Sequence, residues 1–258
     1  MPTFVPEILP MHRRPPERTF LFGIHPVLEA LEAAKPMQRI LFLKGKTTDE
    51  VGRILKLCRE QGIPAQAVPK ERLDRVTLKN HQGVVAFASP VEFQPLEEVV
   101  MGAFERGEVP FVLALDGVTD VRNLGAIART AECFGATALL VPTTGTAPLN
   151  EDAVKSSAGA LLRLPVCRTT SMTNAIQTLA QMGVQGVALT EKSDHDIRTW
   201  RPEGPCCLVL GDEHDGVSGD VLAACTASLA IPMPGHTASL NVGVAAGIAL
   251  YALQGEAR

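Results

Sequence analysis

Apolar residues in this chain fall in short blocks separated by polar stretches rich in glycine and proline. The blocks alternate between the continuous apolar runs of buried strands and the three-to-four-residue spacing of amphipathic helices. Phe20-Leu21-Phe22 starts as a strand and leads into a helix in which Pro26 occupies the first turn and Val27, Leu28 and Leu31 form the apolar stripe. Ile40–Leu43 predicts a strand, and Asp49–Gln61 a helix with Val51, Ile54, Leu55 and Cys58 at helical spacing. Ala65–Val68 and Val84–Ala88 predict two more strands. After residue 109 the alternation restarts, with strands at Phe111–Leu115, Ala138–Val141, Gly186–Leu189, Cys207–Leu210 and Ser228–Ile231, and helices at Leu124–Phe134, Asn174–Met182 and Val242–Leu253.

This pattern divides the chain. Residues 1–19 carry five prolines and Arg13-Arg14 and read as a flexible tail. Residues 20–88 predict a compact α/β module, and residues 89–109, with few apolar anchors and several glutamates, a linker bearing a short helix over Leu96–Glu105. Residues 110–258 predict a second α/β unit whose strand-helix alternation implies a parallel sheet covered on both faces.

Composition narrows the class. With 258 residues, 46% hydrophobic and 20% charged, the chain has enough apolar material for a real core, which excludes disorder as its main state. No apolar run approaches the ~18 residues of a membrane helix, and the Pro-rich amino terminus lacks an apolar signal core, so no membrane partner and a cytoplasmic location are expected. Six cysteines without CxxC spacing sit mostly in apolar runs and read as reduced core residues; adjacent Cys206 and Cys207 would face opposite sides of a strand. The net charge of −4 hides an asymmetry: residues 1–88 hold 14 Lys and Arg against 9 Asp and Glu (+5), residues 89–258 hold 10 against 19 (−9). A basic module on an acidic body points to a polyanionic partner for the first part.

Three segments could carry chemistry. The first runs from a strand end at Asp116 through a loop into a helix, with Asn123 as a candidate helix cap and Arg129 six residues on; Gly125 and Ala126 leave room for a close approach at the helix start. The second, Gly211-Asp212-Glu213-His214-Asp215-Gly216, has the length of a phosphate loop but lacks the Lys-Ser/Thr, and its carboxylates would repel phosphate. Four consecutive residues do not converge on one ion, so no metal is expected there, and His236 reads as a loop histidine. The third, Gly235–Val242, places Ser239 and Asn241 before a Gly/Ala-rich helix suited to close packing, including at a subunit interface. Without a Gly-x-Ser-x-Gly context, Ser239 is a hydrogen-bonding group and not a nucleophile. The second and third segments follow strands, where α/β sheets bind ligands.

Together these segments resemble a known family. Asn123-Leu124-Gly125-Ala126-Ile127-Ala128-Arg129-Thr130-Ala131, Leu208-Val209-Leu210-Gly211-Asp212-Glu213, and Ile231-Pro232-Met233 through Ser239-Leu240-Asn241-Val242 look like the three motifs of the trefoil-knotted SPOUT (TrmH/SpoU-type) RNA ribose 2′-O-methyltransferases, in family order. Lys155-Ser156-Ser157-Ala158-Gly159-Ala160 also resembles a family segment. Gly23-Ile24-His25-Pro26-Val27 and Asn80-His81-Gln82-Gly83-Val84 are similar to the small ribosomal-protein-like RNA-binding domain of the branch that modifies a guanosine in large-subunit ribosomal RNA.

The resemblance implies an α/β fold with a carboxyl-terminal parallel-sheet trefoil-knot domain, and S-adenosylmethionine bound at Gly211, Ile231, Met233 and Leu240. It also implies structured RNA as substrate, a homodimer, and Asn123, Arg129, Glu213, Ser239 and Asn241 around the acceptor ribose. The family picture gives proton removal to Arg129. A guanidinium with a pKa above ~12 is a costly base and a good phosphate clamp, so orientation of phosphate and ribose is the expected role. Asp212, His214 and Gly243 depart from the family pattern, in which Asn, Gly and Ser are common there. Alternatives are a transfer RNA ribose methyltransferase, or an RNA- or ribosome-binding factor that keeps the fold without the chemistry.

Overall fold

The computed structural model describes residues 20–236 and 239–254 and holds two sheets; the expected tail lies outside the described residues. Strands β1 (Phe20–Phe22), β2 (Met37–Leu43), β3 (Ala65–Val68) and β4 (Val84–Ala88) form the smaller sheet in the order β1-β4-β2-β3. In it β4 runs antiparallel to both neighbours and β2 pairs with β3 in parallel. Helices α1 (Ile24–Glu32) and α2 (Asp49–Glu60) bury Val27, Leu31 and Ile54 with Ile40, Val84 and Ala86 from one face of this sheet. Thr48 caps α2 by accepting from the Val51 N–H at 3.4 Å, and Asp49 and Glu50 place negative charge in the first turn, where the helix dipole favours it. A short helix that the pattern does not show, α3 (Lys70–Asp74), buries Leu73 with Leu41, Val85 and Phe87 on the opposite side.

The stretch expected as a linker is built into the larger layer. It contains a two-residue strand, β5 (Phe93–Gln94), and helix α4 (Leu96–Glu105), whose Leu96, Val100 and Ala103 are buried. The partner of β5 comes some seventy residues later, so no local periodicity marks the pairing.

Strands β6 (Phe111–Asp116), β7 (Ala138–Pro142), β8 (Val166–Thr169), β9 (Gln185–Leu189), β10 (Cys206–Gly211) and β11 (Ala227–Leu229) join β5 in a sheet ordered β11-β9-β10-β6-β7-β8-β5, with every pairing parallel. Alternate residues face opposite sides: Leu113, Leu115, Leu208 and Leu210 enter one core, Val112, Ala114, Cys207 and Val209 the other. Cys206 and Cys207 part in this way, and burial pushes the Cys206 thiol up to about 12. Helices α5 (Val121–Cys133), α6 (Glu151–Ser156) and α9 (Val242–Gln254) cover the first face, while α4, α7 (Met172–Gln181) and α8 (Gly219–Ala224) cover the second. The small residues of α9 let it lie close on α5: a Cβ added at Gly243 would stand 3.6 Å from the Ala126 Cβ. Among the described residues no helix is long and apolar enough to cross a membrane.

Candidate active site

The site follows from the neighbourhood of β6 and β10. They pair in parallel with Gly211 opposite Asp116, so the loops leaving both strands meet at one sheet edge. Asp120, not Asn123, caps α5: its Oδ1 accepts the N–H groups of Arg122 at 2.7 Å and Asn123 at 3.0 Å, which also hold its carboxyl below the ordinary range. The helix therefore starts at Val121, three residues before the sequence expectation, and the Asn123 side chain is free for other work. Its Nδ2 donates to Glu213 Oε1 at 2.6 Å, and its Oδ1 accepts from Asn241 Nδ2 at 3.0 Å. Asn241 Oδ1 in turn accepts the N–H groups of Gly243 at 2.9 Å and Val244 at 3.3 Å, capping α9. One side-chain relay thus ties together the three segments singled out in the sequence.

The loop after β10 is braced from within. Asp212 Oδ1 accepts the N–H groups of His214 and Asp215, both at 2.6 Å, and its own N–H donates to Gly216 O at 3.2 Å. Those donors, Asp215 foremost, hold its carboxyl below the ordinary range. Asp212 is thus occupied in shaping the loop. Among the described residues no group of three or more His, Cys, Asp and Glu is arranged to hold a metal ion. The loop folds so tightly onto the strand end that a Cβ on Gly211 would lie 1.8 Å from the Gly216 carbonyl carbon. Only glycine fits there, and its main chain faces the adjoining cavity.

That cavity holds about 280 Å³, and all four residues expected for the methyl donor, Gly211, Ile231, Met233 and Leu240, line it together with Glu213 and Ser239. Leu189, Thr190 and Glu191 line it too, and the sequence reading passed over them. Their signal was the end of β9, a strand that becomes relevant only once it is seen beside β10. An adjoining cleft of about 350 Å³ is bordered by Thr119, Asp120, Asn123 and Glu213, with His214 common to both spaces. Arg129 stands apart on the exposed side of α5, without a hydrogen bond or ion pair among the described residues. Arg122, exposed and seven residues earlier, projects from the same side of the helix. At Gly243 a Cβ would press on Asn241 Oδ1 at 3.1 Å, so the departure from Ser leaves the α9 cap uncrowded.

Fold and site define a two-sheet α/β protein with a small-molecule cavity at the carboxyl ends of its central parallel strands and a polar relay on the cavity's rim. Residues 110–251 match the SpoU rRNA Methylase family, and residues 20–94 match the RNA 2′-O ribose methyltransferase substrate binding family. YacO of Bacillus subtilis (strain 168), named as of the TrmH family of tRNA/rRNA methyltransferases, is 31% identical over 235 residues, 91% of this chain and 94% of that one. A protein of Staphylococcus aureus (strain MSSA476) with the same family name is 33% identical, over 91% of this chain and 95% of its own.

Two solved structures share the fold. The SpoU methyltransferase AviRb from Streptomyces viridochromogenes in complex with AdoMet aligns with a TM-score of 0.57 and 24% identity over 90% of this chain and 88% of that one. The rRNA methyltransferase from Sinorhizobium meliloti aligns at 0.54 and 26% identity over 90% and 85%. The chain belongs to the SpoU/TrmH family of RNA methyltransferases.

Proposed function

We propose that this protein transfers a methyl group from S-adenosylmethionine to the 2′-hydroxyl of a ribose in RNA, and that the ribose belongs to a guanosine of large-subunit ribosomal RNA. The observation that carries the reading is the Glu213–Asn123–Asn241 relay on the rim of a cavity whose volume, about 280 Å³, lies near the lower bound of small-ligand sites, ~300 Å³. The lining fits the donor. Leu210, Ile231, Met233 and Leu240 offer apolar surface that would suit a flat base, the main chain at Gly211 offers hydrogen-bonding groups, and Glu191 and Glu213 give the lining negative charge that would suit a cation. When bound, S-adenosylmethionine supplies an electrophilic methyl on a sulfonium.

The protein's residues then have to hold the acceptor hydroxyl in line with that methyl and let one proton leave. Asn123 is fixed on both sides, donating to Glu213 and accepting from Asn241, and this holds the α5 start, the β10 loop and the α9 start in one arrangement, the frame we assign to the acceptor ribose. Ser239 adds a hydroxyl at the cavity wall. Arg129 has no partner within the described chain and carries a planar fork suited to phosphate, so we assign it to the target nucleotide's phosphate and ribose, with the proton passing to solvent. Arg129→Lys tests this: turnover at saturating RNA should fall about 10- to 100-fold, and near-normal turnover would sink the need for a planar fork.

The smaller sheet and its basic surface are the proposed grip on structured RNA, through phosphates and therefore weakened by salt. Val244, Ile248 and Tyr251 recur at four- and three-residue spacing on α9 and are 52%, 39% and 70% exposed. This apolar stripe is the proposed seam of a homodimer. A knotted carboxyl-terminal chain is proposed from the family membership.

A further inference from the structure

The junction between the two sheets contains a half-buried cation that the methyl-transfer site does not use. Arg168, on β8, stacks its guanidinium on the Phe93 ring at 3.4 Å from the centroid and donates from one terminal nitrogen to Met37 O at 3.0 Å. Phe93 belongs to the edge strand of the large sheet, whereas Met37 is the first residue of β2 in the small one. No carboxylate accompanies this arginine in the described contacts, and burial lowers its pKa to about 10. A partly desolvated cation without a counter-ion carries a cost, which the ring stack and the carbonyl acceptor offset.

The acceptor side is equally particular. The β2–β4 ladder slips between Met37 and Arg39, and at this irregularity Gln38 Nε2 is buried without a hydrogen-bond partner among the described residues. The slip begins at Met37, the residue whose carbonyl accepts from Arg168. The chain crossing nearby is anchored as well. Ser89 Oγ donates to Leu149 O at 3.3 Å and accepts the Val91 N–H at 3.2 Å, and Val91 is buried in the large core. Residues 89–94 are therefore a short, pinned bridge.

We propose that Arg168 is a positioning residue that fixes the orientation of the RNA-binding sheet relative to the methyl-transfer site. It acts through Met37 O and the Phe93 ring, lies outside the three motifs in sequence, and never touches the reacting atoms. The proposal rests on the RNA-methyltransferase reading only for its catalytic consequence; its structural consequence stands without it.

The test uses the full chain with Arg168→Leu, which loses both contacts, and Arg168→Lys, which can still donate to Met37 O but lacks the planar stack. For Arg168→Leu, small-angle scattering should show a broadened distribution of intramolecular distances, and protease should cut within residues 88–95. Affinity for S-adenosylmethionine by calorimetry should stay within about 2-fold of the parent, which shows that the large sheet is folded. With ribosomal RNA as substrate, kcat/KM should fall about 10- to 100-fold, as expected for misplacement of a bound substrate by an ångström or so, and Arg168→Lys should recover part of it. Phe93→Leu should give the same changes in smaller measure. Unchanged scattering and protease resistance in Arg168→Leu would overturn the proposal. So would altered geometry with unchanged RNA kinetics. Absence of any RNA methylation by the parent protein would instead refute the functional reading, leaving the scattering result to decide the positioning claim.

Discussion

Asn123→Asp is the sharpest perturbation of the site, because it keeps the shape of the side chain while replacing its donor with a charged acceptor. Asn123 Nδ2 stands 2.6 Å from Glu213 Oε1, while its Oδ1 accepts from Asn241 at 3.0 Å. After the change the acceptor toward Asn241 survives, but a carboxylate faces a carboxylate. A hydrogen bond to a charged group contributes about 1.5–3 kcal/mol, and the new repulsion adds about 1–4 kcal/mol between the limits of water and protein surface. If only the first of these is lost from the transition state, single-turnover methyl transfer at saturating RNA and cofactor falls about 10- to 150-fold at pH 8. Asn123→Ala, which deletes the donor without adding charge, should be the milder of the two.

The pH dependence distinguishes the cause. A new carboxyl facing Glu213 holds its proton above the ordinary aspartate value of ~3.9. As pH falls through that raised value the protonated carboxyl donates again, so Asn123→Asp should regain activity relative to Asn123→Ala between pH 8 and pH 5.5. Activity within about 3-fold of the parent at pH 8, or parallel profiles for the two variants, would refute the relay.

Changes at three further positions probe the scaffold around that relay. Gly211→Ala puts a Cβ 1.8 Å from the Gly216 carbonyl carbon and 2.1 Å from the Val217 nitrogen, so the loop must move and the dissociation constant for S-adenosylmethionine should rise at least about 10-fold; unchanged calorimetry would contradict this. Asp212→Asn keeps an acceptor for the His214 and Asp215 N–H groups and Asp212→Ala does not, so the alanine variant should bind cofactor more weakly. Because the Asp212 carboxyl is held low, its brace is present above the unfolded value of ~3.9 and is lost only as pH falls through the lower folded one. Titration of Asp212 should thus leave cofactor affinity unchanged from pH 8 to pH 5; a midpoint in that range that vanishes in Asp212→Asn would show otherwise. Gly125→Ala drives a Cβ to 2.0 Å from Ser156 Oγ, and about 1–3 kcal/mol of overpacking should lower Tm by several degrees in a melting curve.

Much of this molecule is legible in its sequence wherever an element is long and its burial is set locally. The bounds of α4, Leu96–Glu105, follow from its own periodicity, as do those of β3 and β4. What escapes is short or depends on partners distant in the chain. Helices α6 and α8 have six residues each, too few for a helical stripe. Strand β8 reads Val-Cys-Arg-Thr, and its arginine looks like a solvated residue until Phe93 and Met37 arrive from elsewhere. The same limit explains Asn123. Its residue type suits a cap, and Asp120 three positions earlier suits it equally; what decides is where the helix begins. That Asn123 meets Glu213 and Asn241 follows from β10 lying beside β6, a strand order that no local pattern encodes. The cavity wall from Leu189 to Glu191 was hidden for the same reason.

The central claim is the transfer itself, and its most direct measurement is to incubate the protein with S-adenosylmethionine carrying a labelled methyl and either ribosomal or transfer RNA, then digest the RNA and locate the label. The account predicts label on the ribose 2′-oxygen of a guanosine in large-subunit ribosomal RNA. Label on a base, label confined to transfer RNA, or no transfer to either RNA would contradict it.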